Sequence, residues 1–241
     1  MEKTNIEKIA GYASSFVEAC LEKGHGRVDL YEPRKEHFYT DASVKCQFPE
    51  FGPRAGYAVT MKVGLPVTGF DGPTRFDLMK VIDASPKPVT LVIQVDEPEE
   101  LRNSDSNFGG NFGVLCHTLG VENLICNGAV RDIDELKEMG MQVMIPGTIA
   151  GTAPSVIYEI NGTVEVAGMQ VKAGDIVHMN NDGAVKFPGD MLDQVLQEVE
   201  IEQQSENELK EVVHGARNLE ECINAYHVCH ERCTPTLGKV K

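Results

Sequence analysis

The sequence predicts an α+β fold, with a parallel βαβ core joined to antiparallel hairpins and flanked by N- and C-terminal helices. Three observations predict it. Between residues 89 and 146, apolar β-branched runs alternate with polar loops and helix-period stretches, the order of right-handed βαβ units. Residues 155–187 hold short alternating strands broken by Asn161-Gly162, Ala173-Gly174-Asp175 and Asn181-Asp182-Gly183, and turns that frequent mean hairpins. Both ends of the chain carry apolar residues three and four apart, as amphipathic helices do.

Taken in order, Ile6, Ile9, Ala10, Ala13, Phe16, Val17, Cys20 and Leu21 share one helical face, and Gly24 stops it. Residues 25–54 are polar, aromatic and Pro-containing, which predicts an irregular connection. A strand is expected over 55–64 and a short helix over 76–84. The run Val89–Val95 is continuously apolar or β-branched, as in a strand covered on both faces. A long loop, 96–111, leads to a helix near 112–119. Strand 122–126, the loop Asn127-Gly128-Ala129-Val130-Arg131-Asp132, a helix over 133–139 and a strand over 142–146 follow. From 190 to about 217 an acidic helix has Met191, Leu192, Val195, Val199, Leu209, Val212 and Val213 as its apolar positions. No repeat or inter-domain linker interrupts the chain, so a single domain over 1–241 is expected.

Composition narrows the function. With 22 Lys+Arg against 37 Asp+Glu the formal charge of the 241 residues is −15, which argues against a protein that grips nucleic acid. A chain this long can bury about 70% of its unfolded surface, enough for a substantial core. No apolar run approaches the roughly 18 residues of a membrane helix, and the first residues lack a signal-peptide core. A cytoplasmic protein with no membrane partner is expected, its seven scattered cysteines reduced.

Parallel sheets collect ligands at the carboxyl ends of their strands, and two unusual loops leave such ends. The first finishes in Phe108-Gly109-Gly110-Asn111-Phe112-Gly113 just before a helix. Glycines admit a close ligand and a helix start favours an anion, although a tight turn into the helix would use the same residues. In the second, Arg131 can clamp a carboxylate with parallel hydrogen bonds. Asp132 can cap the helix that begins at Ile133 or offer oxygen to a hard divalent cation.

The stretch from Gly109 through Thr148, with its Gly-Ala-Val-Arg-Asp-Ile block at 128–133, resembles the central block of the RraA-like family. Residues 164–188 resemble that family's ending and residues 51–63 its first core strand, so the resemblance covers roughly 50–205. It implies a swivelling β/β/α-type domain with a core of about 50–205, an N-terminal helical extension 1–50 and a C-terminal helical arm 206–241. The family includes 4-hydroxy-4-methyl-2-oxoglutarate aldolases, RraA-type regulators of RNase E, and proteins once labelled demethylmenaquinone methyltransferases. Carried over residue by residue, the resemblance implies that Gly109, Gly110, Asn111 and Phe112 bind the pyruvyl group. It implies that Arg131 binds substrate and neutralises the enolate, and that Asp132 ligates Mg²⁺ or Mn²⁺. The implied activity is a metal-dependent lyase (aldolase or decarboxylase) on a short 2-oxo acid, working as a homotrimer or homohexamer. The alternatives are a non-catalytic protein-binding regulator and the same scaffold with another substrate.

Two departures stand out. Gly110 replaces an acidic residue that the aldolases use in proton handling, for which Asp105, Asn107 and His117 are the nearest substitutes if they are not simply solvated. Asn127 stands where many members have Asp. Family sites also recruit a carboxylate from a neighbouring subunit, which Glu198, Glu200 or Glu202 could supply. At the C-terminus, Cys222, His227, Cys229, His230 and Cys233 suggest zinc by spacing. However, Leu219, Cys222, Tyr226, Cys229 and Cys233 also form one stripe, as a buried helix face would. Cys116 and Cys126 occupy core-like positions.

Overall fold

A computed structural model describes residues 3–24, 26–152 and 154–233, with side chains described for all of these except Glu99 and residues 228–233. In chain order the helices are α1 (Asn5–Ile9), α2 (Ser14–Leu21), α3 (Arg75–Ala84), α4 (Glu99–Arg102), α5 (Gly110–Thr118), α6 (Ile133–Glu138), α7 (Leu192–Gly215) and α8 (Leu219–Cys233). The strands are β1 (Lys45–Cys46), β2 (Arg54–Gly64), β3 (Val89–Val95), β4 (Val121–Cys126), β5 (Gln142–Ile145), β6 (Val156–Ile160), β7 (Val164–Val166), β8 (Met169–Val171), β9 (Ile176–Asn180) and β10 (Gly183–Phe187). They form two compact units, His37–Gly189 and a second made of Met1–Glu36 with Asp190–Lys241.

The central unit is a mixed eight-stranded sheet ordered β1-β5-β4-β3-β2-β9-β10, with β6 also paired to β2. Strands β2 to β5 run parallel to their neighbours, while β1, β6, β9 and β10 pair antiparallel. Helices α3, α5 and α6 fall between successive parallel strands, so three βαβ units follow one another. The α+β class and the parallel core expected from the sequence are therefore present.

The period of two along β3 explains its unbroken apolar run. Leu91 and Ile93 pack with Leu78, Ile82, Leu124 and Leu136 on the side that carries the helices. Val92 points the other way, into Ile125, Met144, Val166, Met169 and Val177, where the β7–β8 hairpin closes the second face. Each fully buried Leu or Ile contributes about 1.5–3 kcal/mol by leaving water.

The structure differs from expectation in both units. The stretch expected to be irregular contains a short strand, β1, which extends the sheet beside β5. Only β7–β8 and β9–β10 are sequential hairpins, because β6 pairs with β2 and β9 with both β2 and β10. The turns at 161–162 and 173–175 thus join strands whose partners lie elsewhere.

The other differences lie in the terminal unit. Its first helical face is split into α1 and α2, since the N–H groups of Gly11 and Tyr12 bond the carbonyls of Lys8 and Ile9 three residues back. Glycine there lowers helix propensity by about 1 kcal/mol. In α7, Leu192, Val195, Leu196 and Val199 are buried, and the helix packs against α1 and α2. Further along, Val212 and Val213 are exposed. The stripe expected to be buried on α8 is open as well, with Leu219 75% and Tyr226 53% exposed. The face of α8 that does bury a residue contains Ala225. Cys229, His230 and Cys233 lie outside the described side chains. Among the described residues no helix is long and apolar enough to cross a membrane.

Candidate functional site

The loops after β3 and β4 meet at the carboxyl edge of the parallel strands. Asn127 ties them to the sheet, its Oδ1 accepting the Val95 N–H at 2.7 Å and its Nδ2 donating to the Val95 carbonyl at 3.4 Å. That pairing needs a donor and an acceptor on one side chain, so an amide suits the position better than a carboxylate. The Arg131 N–H then donates to the Phe108 carbonyl at 3.1 Å, joining the second loop to the first. Ser106 and Thr152 complete the frame: the buried Ser106 Oγ donates to the Phe108 carbonyl at 2.6 Å, and Thr152 Oγ1 to the Ser106 carbonyl.

Asp132 occupies the N-cap position of α6 but makes no side-chain cap bond. It is held at φ 58°, ψ 39°, a left-handed conformation that costs a non-glycine residue about 1–2 kcal/mol and is tolerated best by Asn and Asp. Its Oδ2 accepts the Gly110 N–H at 2.9 Å and lies 3.4 Å from Arg131 Nε. The carboxylate is thus turned away from its own helix toward the first turn of α5. Strain of this kind gathers at functional sites.

On α5, Gly109 is the N-cap and Gly110 the first helical residue. The carbonyl of Gly109 accepts the Gly113 N–H, but the N–H groups of Asn111 and Phe112 meet no acceptor among the described residues. A β-carbon on Gly109 would stand 2.7 Å from Asp132 Oδ2 and 3.0 Å from Arg131 Nε. One on Gly110 would collide with the Glu135 carboxylate at Oε2. A side chain at either position would displace the site side chains that approach it.

Gly109, Asn111, Phe112 and Arg131 line a cavity of about 170 Å³ together with Arg75 and Asn107. Gly110 and Asp132 are outside its lining, bonded to each other beside it. A neighbouring cavity of about 240 Å³ shares Arg75, Asn107, Phe112 and Ser155. The six residues predicted from the sequence therefore come together.

Of the substitutes for an acid at 110, Asn107 reaches the cavity and Asp105 does not line it. His117 sits at the far end of α5 with Nδ1 3.1 Å from the Val121 carbonyl. The carboxylate at that spot is Glu135, three residues after Asp132 and so on the same face of α6. That spacing was readable in the sequence. Arg75 had no local signal, since it reaches the site from the start of α3. Glu202 pairs with Arg27 at 3.8 Å, and Glu200 hydrogen-bonds Tyr12, so two of the three acids on α7 are engaged within the terminal unit.

Among the described residues no group of three or more His, Cys, Asp or Glu could hold a metal. The donor set still fits one cation. Both contacts of Asp132 fall on Oδ2, leaving Oδ1 open, and Glu135 is nearby. Mg²⁺ usually keeps several waters and takes one or two carboxylates. Cys116 and Cys126 are fully buried, and burial pushes both thiols up to about 12, the state of packing groups.

The family description RraA-like, Aldolase/RraA, matches residues 28–186, well over half of the chain. The chain belongs to the RraA-like family. Over 98 residues it is 29% identical to a Halalkalibacterium halodurans protein that carries the name 4-hydroxy-4-methyl-2-oxoglutarate aldolase, covering 40% of this chain and 46% of that one. It is 25% identical over 162 residues to the protein DlpA of Legionella pneumophila, covering 65% of this chain and 25% of that one. The chain thus spans a quarter to a half of the length of these two relatives. The solved structure of RraAS2 from Streptomyces coelicolor, described as an unusual member of the RNase ES inhibitor RraA protein family, superposes with a TM-score of 0.64 at 17% identity. The superposition covers 86% of this chain and 97% of that one. At that identity the likeness establishes a shared fold, the RraA-like α+β arrangement. The Arg131–Asp132 pair lies inside the segment that matches the RraA-like family.

Proposed function

We propose that the protein is a divalent-metal-dependent lyase releasing pyruvate from a short 2-oxo acid, by 4-hydroxy-4-methyl-2-oxoglutarate-type aldol cleavage, oxaloacetate decarboxylation or both. The observation that carries this reading is the convergence of Arg131, the left-handed Asp132 carboxylate and the open amides of Asn111 and Phe112 at one cavity edge. The amides and the Arg131 guanidinium suit the 1-carboxylate and 2-oxo oxygen of the substrate. As the C–C bond breaks, its electron pair enters the enolate and negative charge grows on that oxygen. Donors already aimed at it stabilise the transition state more than the ground state.

Asp132 would hold Mg²⁺ or Mn²⁺, which supplies Lewis-acid polarisation of the 2-oxo group. Aldol cleavage also requires a base for the 4-hydroxyl proton, and Glu135, whose carboxylate lies over Gly110, would take it. Decarboxylation needs no such base. The site's proposed setting is a cytoplasmic homotrimer or homohexamer.

Pyruvate release from oxaloacetate and from 4-hydroxy-4-methyl-2-oxoglutarate, coupled to lactate dehydrogenase, tests the reading. Turnover is expected with Mg²⁺ or Mn²⁺ and not with chelator, and is expected to be lost in Arg131→Ala and Asp132→Ala. Absence of both turnover and metal binding would refute the lyase and favour a protein-binding role.

A further inference from the structure

We infer that Arg75 is a second anion-binding residue of this site and selects 2-oxo acids that carry a distal carboxylate. The inference rests on the 2-oxo-acid reading of the cavity. Arg75 is the first residue of α3, and its backbone is fixed by the preceding capping box, in which Thr74 Oγ1 accepts the Asp77 N–H. Its guanidinium lies 5.1 Å from the centre of the Phe112 ring, and Phe112 leans on Phe108 at 5.5 Å between centroids. Stacking of this kind orients the planar fork of an Arg while leaving its N–H edge free.

Arg75 has no ion pair among the described residues, in a chain of charge −15. Asp77, the nearest carboxylate in sequence, is engaged by Thr74 and Lys80. Asp71 lines the neighbouring 240 Å³ cavity without pairing with Arg75. Arg131, by contrast, already faces Asp132. Arg75 and Arg131 both line the 170 Å³ cavity, and of the two only Arg75 also lines the neighbouring one. A ligand whose 2-oxo-acid end lies at Arg131 and the α5 amides would therefore direct its other end past Phe112 to Arg75. A guanidinium without a carboxylate partner is suited to a second carboxylate.

The test uses two probes with the same carbon skeleton, 2-oxoglutarate and 2-oxopentanoate, which differ only in carboxylate against methyl at the distal end. Binding is measured by titration calorimetry with Mg²⁺ present. The wild type is expected to prefer 2-oxoglutarate by about tenfold, the scale of one solvent-screened, charge-assisted contact. Arg75→Gln should bring the ratio of the two Kd values close to one, Arg75→Lys should restore part of it, and Arg131→Gln should weaken both probes together. A ratio that survives Arg75→Gln overturns the inference and leaves the 2-oxo-acid reading standing. So does a wild type that binds both probes equally. If the wild type binds neither probe, the 2-oxo-acid reading fails and the role of Arg75 falls with it. Circular dichroism of Arg75→Gln separates a lost contact from a lost fold.

Discussion

A single methyl group at position 109 should disable the site while leaving the fold in place. The backbone of Gly109 is extended, at φ −162° and ψ −178°, so alanine meets no torsional penalty there. What it meets is the Arg131–Asp132 pair: its β-carbon would lie 2.7 Å from Asp132 Oδ2, 2.9 Å from Arg131 Cγ and 3.0 Å from Arg131 Nε. Both side chains must move. The bond from the Gly110 N–H to Asp132 would be lost, and charge-assisted bonds contribute about 1.5–3 kcal/mol. Because the two side chains are 36% and 38% exposed, solvent reduces the expected cost to about 1 kcal/mol, or roughly 2–4 °C in Tm. Turnover should fall much further, by about 10²–10³, as when preorganised donors are removed from an oxyanion site. Thermal unfolding and the coupled pyruvate assay measure the two effects. In the double variant, Gly109→Ala should add little to the loss caused by Asp132→Ala, because both changes act on one cluster. A Gly109→Ala enzyme with turnover within twofold of wild type would refute the assignment of Arg131 and Asp132.

Three further outcomes are expected. Asp132→Asn keeps an oxygen for the Gly110 N–H and a residue type that accepts the left-handed conformation. Its Tm should therefore stay near wild type while metal-dependent turnover and Mn²⁺ affinity drop. In native protein, iodoacetamide followed by peptide mapping should label the half-buried Cys222 well before Cys20, Cys116 and Cys126, whose thiols are pushed up to about 12 by burial. At Asp175, burial outweighs the Lys172 N–H and the Lys186 and Lys172 charges and raises the carboxyl above its ordinary range. The folded state therefore holds that proton more tightly than the unfolded state. Asp175's contribution to stability is full below the usual carboxylate range and is lost as pH rises through the raised value. In urea titrations Asp175→Asn should gain on the wild type as pH rises above the usual carboxylate range, and a constant difference would refute the sign.

Most of the central unit was legible because its determinants are local. The run at Val89–Val95 and the alternation of strand, loop and helix around it are set by burial on two faces, and burial leaves a periodic trace in the chain. The hairpin region was less legible. Turn residues mark where a chain reverses but not which strand it pairs with, so β6 reads like a hairpin arm although its partner is β2, far back in the sequence. The α8 stripe failed for a related reason. Helical spacing predicts which residues share a face, and says nothing about whether a partner covers it, as the exposure of Leu219 and Tyr226 shows.

The same distinction separates the parts of the site that could be read from those that could not. Arg131 and Asp132 adjoin in sequence, and the Gly109-Gly110-Asn111-Phe112 run is itself a loop motif, so each half was visible alone. What joins the halves is the backbone bond from Arg131 to Phe108 together with a side-chain bond between residues 22 apart, Gly110 to Asp132. That second bond, with no side-chain cap bond to α6 beside it, removes the cap reading of Asp132 that its position before α6 had left open. A carboxylate committed to its own helix end would leave Arg131 without its neighbour and the first turn of α5 without its acceptor. Turned the other way, it joins the two loops and leaves Oδ1 open beside Glu135. Gly110 then ceases to be a simple loss of an acid. The space that a side chain at 110 would fill holds the Glu135 carboxylate, so the negative charge at this point in the site is kept and delivered from α6. Restoring an acid by Gly110→Asp would set two carboxylates in one space and should expel Glu135 rather than add to it.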